Sequence, residues 1–84
     1  NAGMQQLTAA FQAMDLSWIP SSGNFVAVDL KRNAIPIYQA LLEEGVIVRP
    51  VANYQMPNHL RISIGTQYEN QRFIEALIKV LLRV

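Results

Sequence analysis

The sequence predicts a small α+β domain: a three-stranded, largely antiparallel sheet with helices packed on one face. Three observations carry this. In three separate stretches apolar residues recur at spacings of three and four, the period of amphipathic helices. Between them lie three short stretches that are β-branched and aromatic or alternate apolar with polar residues, the habit of strands. Pro, Gly, Asn and Ser gather at the junctions, where the chain must turn. The order is helix, strand, helix, strand, strand, helix, which fits a small α+β sandwich.

The first stripe, Met4, Leu7, Phe11 and Met14, predicts a helix over 3–14. The next segment, DLSWIPSSG at 15–23, reads as a connection because Pro20, Ser21, Ser22 and Gly23 all favour turns. Trp18 within it reads as a packing residue. NFVAVDL predicts a strand over 24–30 with apolar groups on both faces, which calls for a covering layer on each side. Asn33 can cap a helix over 34–44, where Pro36 falls in the tolerated first turn and Gly45 supplies a left-handed stop. Ile37, Tyr38, Leu41 and Leu42 are its apolar stripe. A second strand is expected over 46–49, stopped by Pro50, and 51–58 reads as a loop. His59 to Ile64 alternates strictly and predicts the third strand. Thr66 and Glu69 have capping-box spacing before a last helix over 67–82, striped by Phe73, Ile74, Leu77, Ile78 and Leu81.

Composition narrows the function. The chain has 84 residues, enough for one small domain, and 51% are hydrophobic against 15% charged. Average domains carry about 25% charged residues. The apolar excess predicts either self-association or membership of a larger protein, and the second is preferred. A net charge of +1, spread along the chain, offers no basic stripe for a nucleic acid. No apolar run reaches the roughly 18 residues of a membrane span, so neither nucleic acid nor membrane is expected as a partner. The lack of cysteine fits a reducing compartment, and a cytoplasmic location is expected.

Few residues carry chemistry. One histidine and no cysteine argue against a metal cluster, and the four scattered glycines form no phosphate loop. Glu43 and Glu44 are neighbours on a helix and point apart. His59 reads as a surface or hydrogen-bonded structural residue. Lys31 and Lys79 lack the desolvated setting of a nucleophile. Arg32, Arg72 and Arg83 read as solubility charges. Arg49 and Arg61 differ, because one ends and the other interrupts an apolar strand. A guanidinium can grip a carboxylate or phosphate with two parallel hydrogen bonds. Spacing alone leaves Arg61 open between a solvated charge and an anion holder.

Three stretches, PSSGNFVAV at 20–28, EEGVIVRPV at 43–51 and NYQMPNHLRISIGTQYENQRFIEAL at 53–77, resemble in unbroken order the C-terminal small domain of fold type I aminotransferases that use pyridoxal phosphate. Within that superfamily the likeness is greatest to the histidinol-phosphate aminotransferases. The resemblance implies that residues 1–84 are a C-terminal small domain without its large cofactor-binding domain. It implies transfer of an amino group between histidinol phosphate and 2-oxoglutarate or glutamate, in histidine biosynthesis. The expected partners are the missing large domain, a second copy in a homodimer, and small anionic substrates. It assigns Arg61 and Arg49 to binding the substrate's anionic group. Catalytic and cofactor-binding residues would lie in the large domain, so this stretch alone is expected to be inactive and to bind no pyridoxal 5'-phosphate. One departure is Gln55, where relatives often carry glycine. Relatives acting on aromatic or other amino acids, and a threonine-phosphate decarboxylase, share much of the pattern. A stand-alone anion- or protein-binding module is the reading from a different class.

Overall fold

The structure is a computed structural model that describes residues 2–20, 24–51 and 55–83. Its elements are α1 (Ala2–Ala13), β1 (Ser17–Pro20), β2 (Phe25–Asp29), α2 (Ala34–Glu43), β3 (Arg49–Pro50), β4 (His59–Ser63) and α3 (Gln67–Arg83). The strands form one antiparallel sheet in the order β1-β2-β4-β3. The expected α+β class holds, with four strands in place of three.

The extra strand is β1, inside the stretch expected to be a connection. Its inward side chain is Trp18, half-buried and tilted 6.3 Å from the ring of Phe11. Pro20 is tolerated because β1 is an edge strand, where a missing N–H breaks no central ladder. The turn-forming Ser21, Ser22 and Gly23 lie outside the described residues. The strand expected over 46–49 is also displaced: only Arg49 and Pro50 pair with β4. Val46 is held instead by the end of α2, its N–H donating to Leu41 O at 2.9 Å. Pro50, expected to stop the strand, belongs to it, again on an edge. In the loop expected over 51–58, residues 52–54 lie outside the described residues.

Helix ends follow local chemistry. Asn33 Oδ1 accepts from the Ile35 N–H at 2.9 Å and caps α2. Gly45, at φ +81°, closes α2 with its own N–H on Leu42 O. The same double bond pattern closes α1 through Asp15, a non-glycine at φ 61°. The capping box of α3 is present in both directions: Thr66 N–H donates to Glu69 Oε1 at 2.9 Å, and Glu69 N–H donates to Thr66 Oγ1 at 3.1 Å.

The helices cover one sheet face. Val26 and Val28 of β2 and Leu60 and Ile62 of β4 point into the core, meeting Leu7, Phe11, Ile37, Leu41, Phe73 and Leu77. Two expected stripe residues, Leu42 and Ile78, are each 42% exposed, while Ala40 of α2 and Ala76 and Val80 of α3 are buried. Among the described residues Asn70 is the buried polar one. Its Oδ1 accepts from Gly65 N–H at 2.9 Å, and its Nδ2 donates to Gln6 Oε1 and Gly65 O. Lys79 and Arg83 of α3 both reach Glu44 at the end of α2, at 3.0 and 3.4 Å. Arg83, expected to serve solubility, thus ties two helices together.

Candidate functional site

Alternation on β4 turns Leu60 and Ile62 inward and His59, Arg61 and Ser63 to the opposite face. Both ends of the strand are pinned. Asn58 O accepts from Leu30 N–H at 2.8 Å, and Ile64 N–H donates to Asn24 O at 2.7 Å. These contacts lock β4 against β2 with Ala27 opposite Arg61 and Phe25 opposite Ser63. On the other edge, Arg49 of β3 stands directly opposite Arg61. A row therefore crosses the sheet: Ile19, Ala27, Arg61, Arg49.

Directly opposed residues of an antiparallel pair share a face, with Cβ atoms about 4.5–5.5 Å apart. The structure thus brings together the two arginines that stand twelve residues apart in sequence, both exposed. Among the described residues neither forms a salt bridge with a carboxylate. Two like charges side by side repel, and no ion pair among the described residues offsets that repulsion. The Arg61 guanidinium carbon lies 4.6 Å from the centroid of the Phe25 ring, within cation–π range. Sequence reasoning did not find this contact. Phe25 was legible as a strand residue, but only the β2–β4 register puts it diagonal to Arg61.

His59 continues the same face opposite Asp29. It is half-buried, and its Nδ1 is occluded from solvent with no hydrogen-bond partner. That departs from the surface or hydrogen-bonded role expected. Asp29 Oδ1 is engaged by Lys31 N–H at 2.8 Å. The described residues hold no cluster of three or more possible metal-ligating side chains. No helix among them is long and apolar enough to cross a membrane.

The described residues do not fit a pyridoxal phosphate site. Lys31 pairs with Asp15 at 3.3 Å and Lys79 with Glu44 at 3.0 Å, and both lysine side chains are more than half exposed, at 56% and 59%. A lysine that condenses with a carbonyl needs a desolvated, enclosed setting. Nor do Arg49 and Arg61 line any of the three main hollows among the described residues. Hollows of about 460, 400 and 360 Å³ lie beside Val48, Tyr68 and Arg72, beside Gly3, Gln6 and Gly65, and beside Met14, Leu30 and Leu81. The arginine row is an open face that could bind one side of an anion and leave the other to be covered.

Comparison with known proteins gives this face a context. The chain is 71% identical over 82 residues to histidinol-phosphate aminotransferase 2 of Pseudomonas fluorescens Pf-5, spanning 98% of the chain and 22% of that relative. Its fold matches a histidinol-phosphate aminotransferase from Sinorhizobium meliloti, solved in complex with pyridoxal-5'-phosphate, with a TM-score of 0.87 at 26% identity over 98% of the chain and 23% of that structure. It also matches an L-threonine-O-3-phosphate decarboxylase from Porphyromonas gingivalis, with a TM-score of 0.81 at 26% identity over 95% of the chain and 26% of that structure. The chain thus spans about a fifth of the length of the curated relatives it matches. The family model for aminotransferase class I and II matches residues 2–77, nearly the whole chain, and the chain belongs to that family.

Proposed function

We propose that residues 1–84 are the C-terminal small domain of a histidinol-phosphate aminotransferase, and that Arg61, with Arg49 beside it, holds the substrate's anionic group. The whole enzyme would move an amino group between histidinol phosphate and 2-oxoglutarate, in the cytoplasm and as a homodimer. Pyridoxal phosphate would supply the electron sink, held by a large domain outside this chain. The observation that supports the arginine assignment is the register: Arg49 opposite Arg61, both on the sheet face that the helices leave open. The paired arginines suit a doubly charged phosphate or a carboxylate, because each guanidinium offers two parallel N–H donors to paired oxygens. The open face would be covered by the large domain.

Both halves of a transamination place an anion in a similar position, a phosphate on one substrate and a carboxylate on the other. Losing a hydrogen-bonded charge costs about 1.5–3 kcal/mol, so Arg61→Ala should lower kcat/KM by about tenfold to a few hundredfold in both half-reactions. Arg61→Lys should recover only part, since an ammonium lacks the planar fork. Arg49→Ala should act in the same direction. Single-turnover kinetics on the full-length enzyme measures this. Wild-type efficiency of Arg61→Ala with both substrates would show that Arg61 is a solvated charge.

The likeness to a threonine-phosphate decarboxylase favours a second reading, a lyase acting on another phosphate monoester. It would use the same arginine pair. Turnover of L-threonine O-3-phosphate with release of carbon dioxide, and none of histidinol phosphate, would decide for it.

A further inference from the structure

We infer that Phe25 is a positioning residue for the anion site, stacking on the Arg61 guanidinium and directing its N–H edge toward the substrate's anion. The inference rests on the arginine reading above. Phe25 opens β2, is half-buried, and faces Ser63, which sets it one residue pair along the ladder from Arg61. The residue directly opposite Arg61 is Ala27, whose single methyl group leaves room for the long side chain to lie across β2. The guanidinium carbon accordingly sits 4.6 Å from the Phe25 ring centroid.

Stacking has two consequences for an anion. It occupies the face of the guanidinium and leaves the in-plane N–H donors free, and those are the groups that carboxylate and phosphate oxygens need. It also draws the Arg61 head toward β2, away from Arg49 on the opposite flank of β4. Unrestrained, an exposed arginine samples many rotamers, most of them unsuited to binding, and that freedom is lost when the anion binds. With the ring in place, part of that ordering is done beforehand.

The test uses the full-length enzyme that carries this chain, with inorganic phosphate as a competitive probe and the phosphate-bearing substrate for KM. Phe25→Leu keeps an apolar side chain and removes the ring. It should weaken phosphate inhibition, and raise KM, by about three- to thirtyfold, the range a cation–π contact supplies. Phe25→Tyr keeps the ring and should stay close to wild type. Combined with Arg61→Ala, Phe25→Leu should add nothing, because the ring acts through the guanidinium. Phe25→Met, a second replacement without a ring, serves the same comparison if Phe25→Leu fails to fold. Equal weakening in the wild-type and Arg61→Ala backgrounds would mean that Phe25 only packs, and the inference falls. Unchanged phosphate affinity in Phe25→Leu, with a loss in Arg61→Ala, overturns Phe25 and leaves the arginine reading standing. Unchanged affinity in Arg61→Ala itself overturns both.

Discussion

Asn70 joins three parts of the chain that periodicity treats as independent. From the first turn of α3 it accepts the Gly65 N–H, returns a bond to Gly65 O, and donates to Gln6 on α1. Asn70 itself is 2% exposed, so its amide relies on these bonds rather than on water. Asn70→Leu would remove the acceptor of the Gly65 N–H and the donor to Gln6, and urea unfolding of the chain should show a loss of about 1–3 kcal/mol. Gly45 is the second case. At φ +81° it occupies a conformation in which a Cβ crowds the backbone, while the space around it is open, the nearest atom to an added Cβ being Arg72 Nη2 at 3.9 Å. Gly45→Ala should therefore destabilise by about 1–2 kcal/mol through backbone strain alone, without disturbing the core. An unchanged urea midpoint in either variant would contradict the corresponding account.

At the scale of elements, α3 depends most on its ends. Thr66→Ala removes the hydroxyl that accepts the Glu69 N–H, and loss of such a cap should reduce stability by about 0.5–2 kcal/mol. Two glutamates at helix termini also make stability depend on pH. The backbone hydrogen bond from Thr66, then its side-chain bond, hold Glu69 below the ordinary glutamate pKa of 4.5. The hydrogen bond from Lys79, helped by the charges of Lys79 and Arg83 and opposed by desolvation, does the same for Glu44. For a carboxyl whose folded pKa is depressed, the stabilisation is complete above the unfolded value. It is lost as pH falls from 4.5 through the lower folded value. The unfolding temperature should therefore drop on acidification through that window. Glu69→Gln keeps an acceptor but does not titrate there, so its unfolding temperature should fall less steeply than wild type when followed by circular dichroism. An acid slope identical to wild type would exclude Glu69 as a contributor.

Across the whole molecule, Phe11 sits where α1, α3 and β1 meet. It is fully buried, edge-on to Phe73 at 6.3 Å and tilted against Trp18. A Phe→Ala change in a core costs about 3–5 kcal/mol, a large share of the roughly 5–15 kcal/mol that holds a typical domain. Phe11→Ala should abolish cooperative unfolding, or shift it to much lower urea, in the isolated chain. The same chain should not form a specific adduct with pyridoxal phosphate. Both lysines are ion-paired and open to water, whereas a condensing lysine needs a desolvated pocket. Incubation with the cofactor, borohydride reduction and peptide mass spectrometry should show no stoichiometric label on one lysine. Full labelling at Lys31 or Lys79 would refute this.

The sequence by itself determined what is local. Periods of 3.6 and 2 marked the three helices and the strands around 25–29 and 59–63, and the caps at Asn33, Gly45 and Thr66–Glu69 followed from side-chain chemistry within a few residues. It also singled out Arg49 and Arg61, because a charge against an apolar strand breaks the pattern. Tertiary structure decided what is non-local. Four residues, SWIP, carry too short and too proline-marked a pattern to announce a strand, and β1 exists because β2 offers an open edge. Val46–Val48 look like a strand, yet the α2 terminus holds Val46 and only Arg49–Pro50 reach β4. That Arg49 stands opposite Arg61, and that Phe25 lies under its guanidinium, depends on a pairing register set by contacts at both ends of β4. A one-residue slip in register would turn each strand's side chains to the other face, and no window of neighbouring residues encodes which register wins.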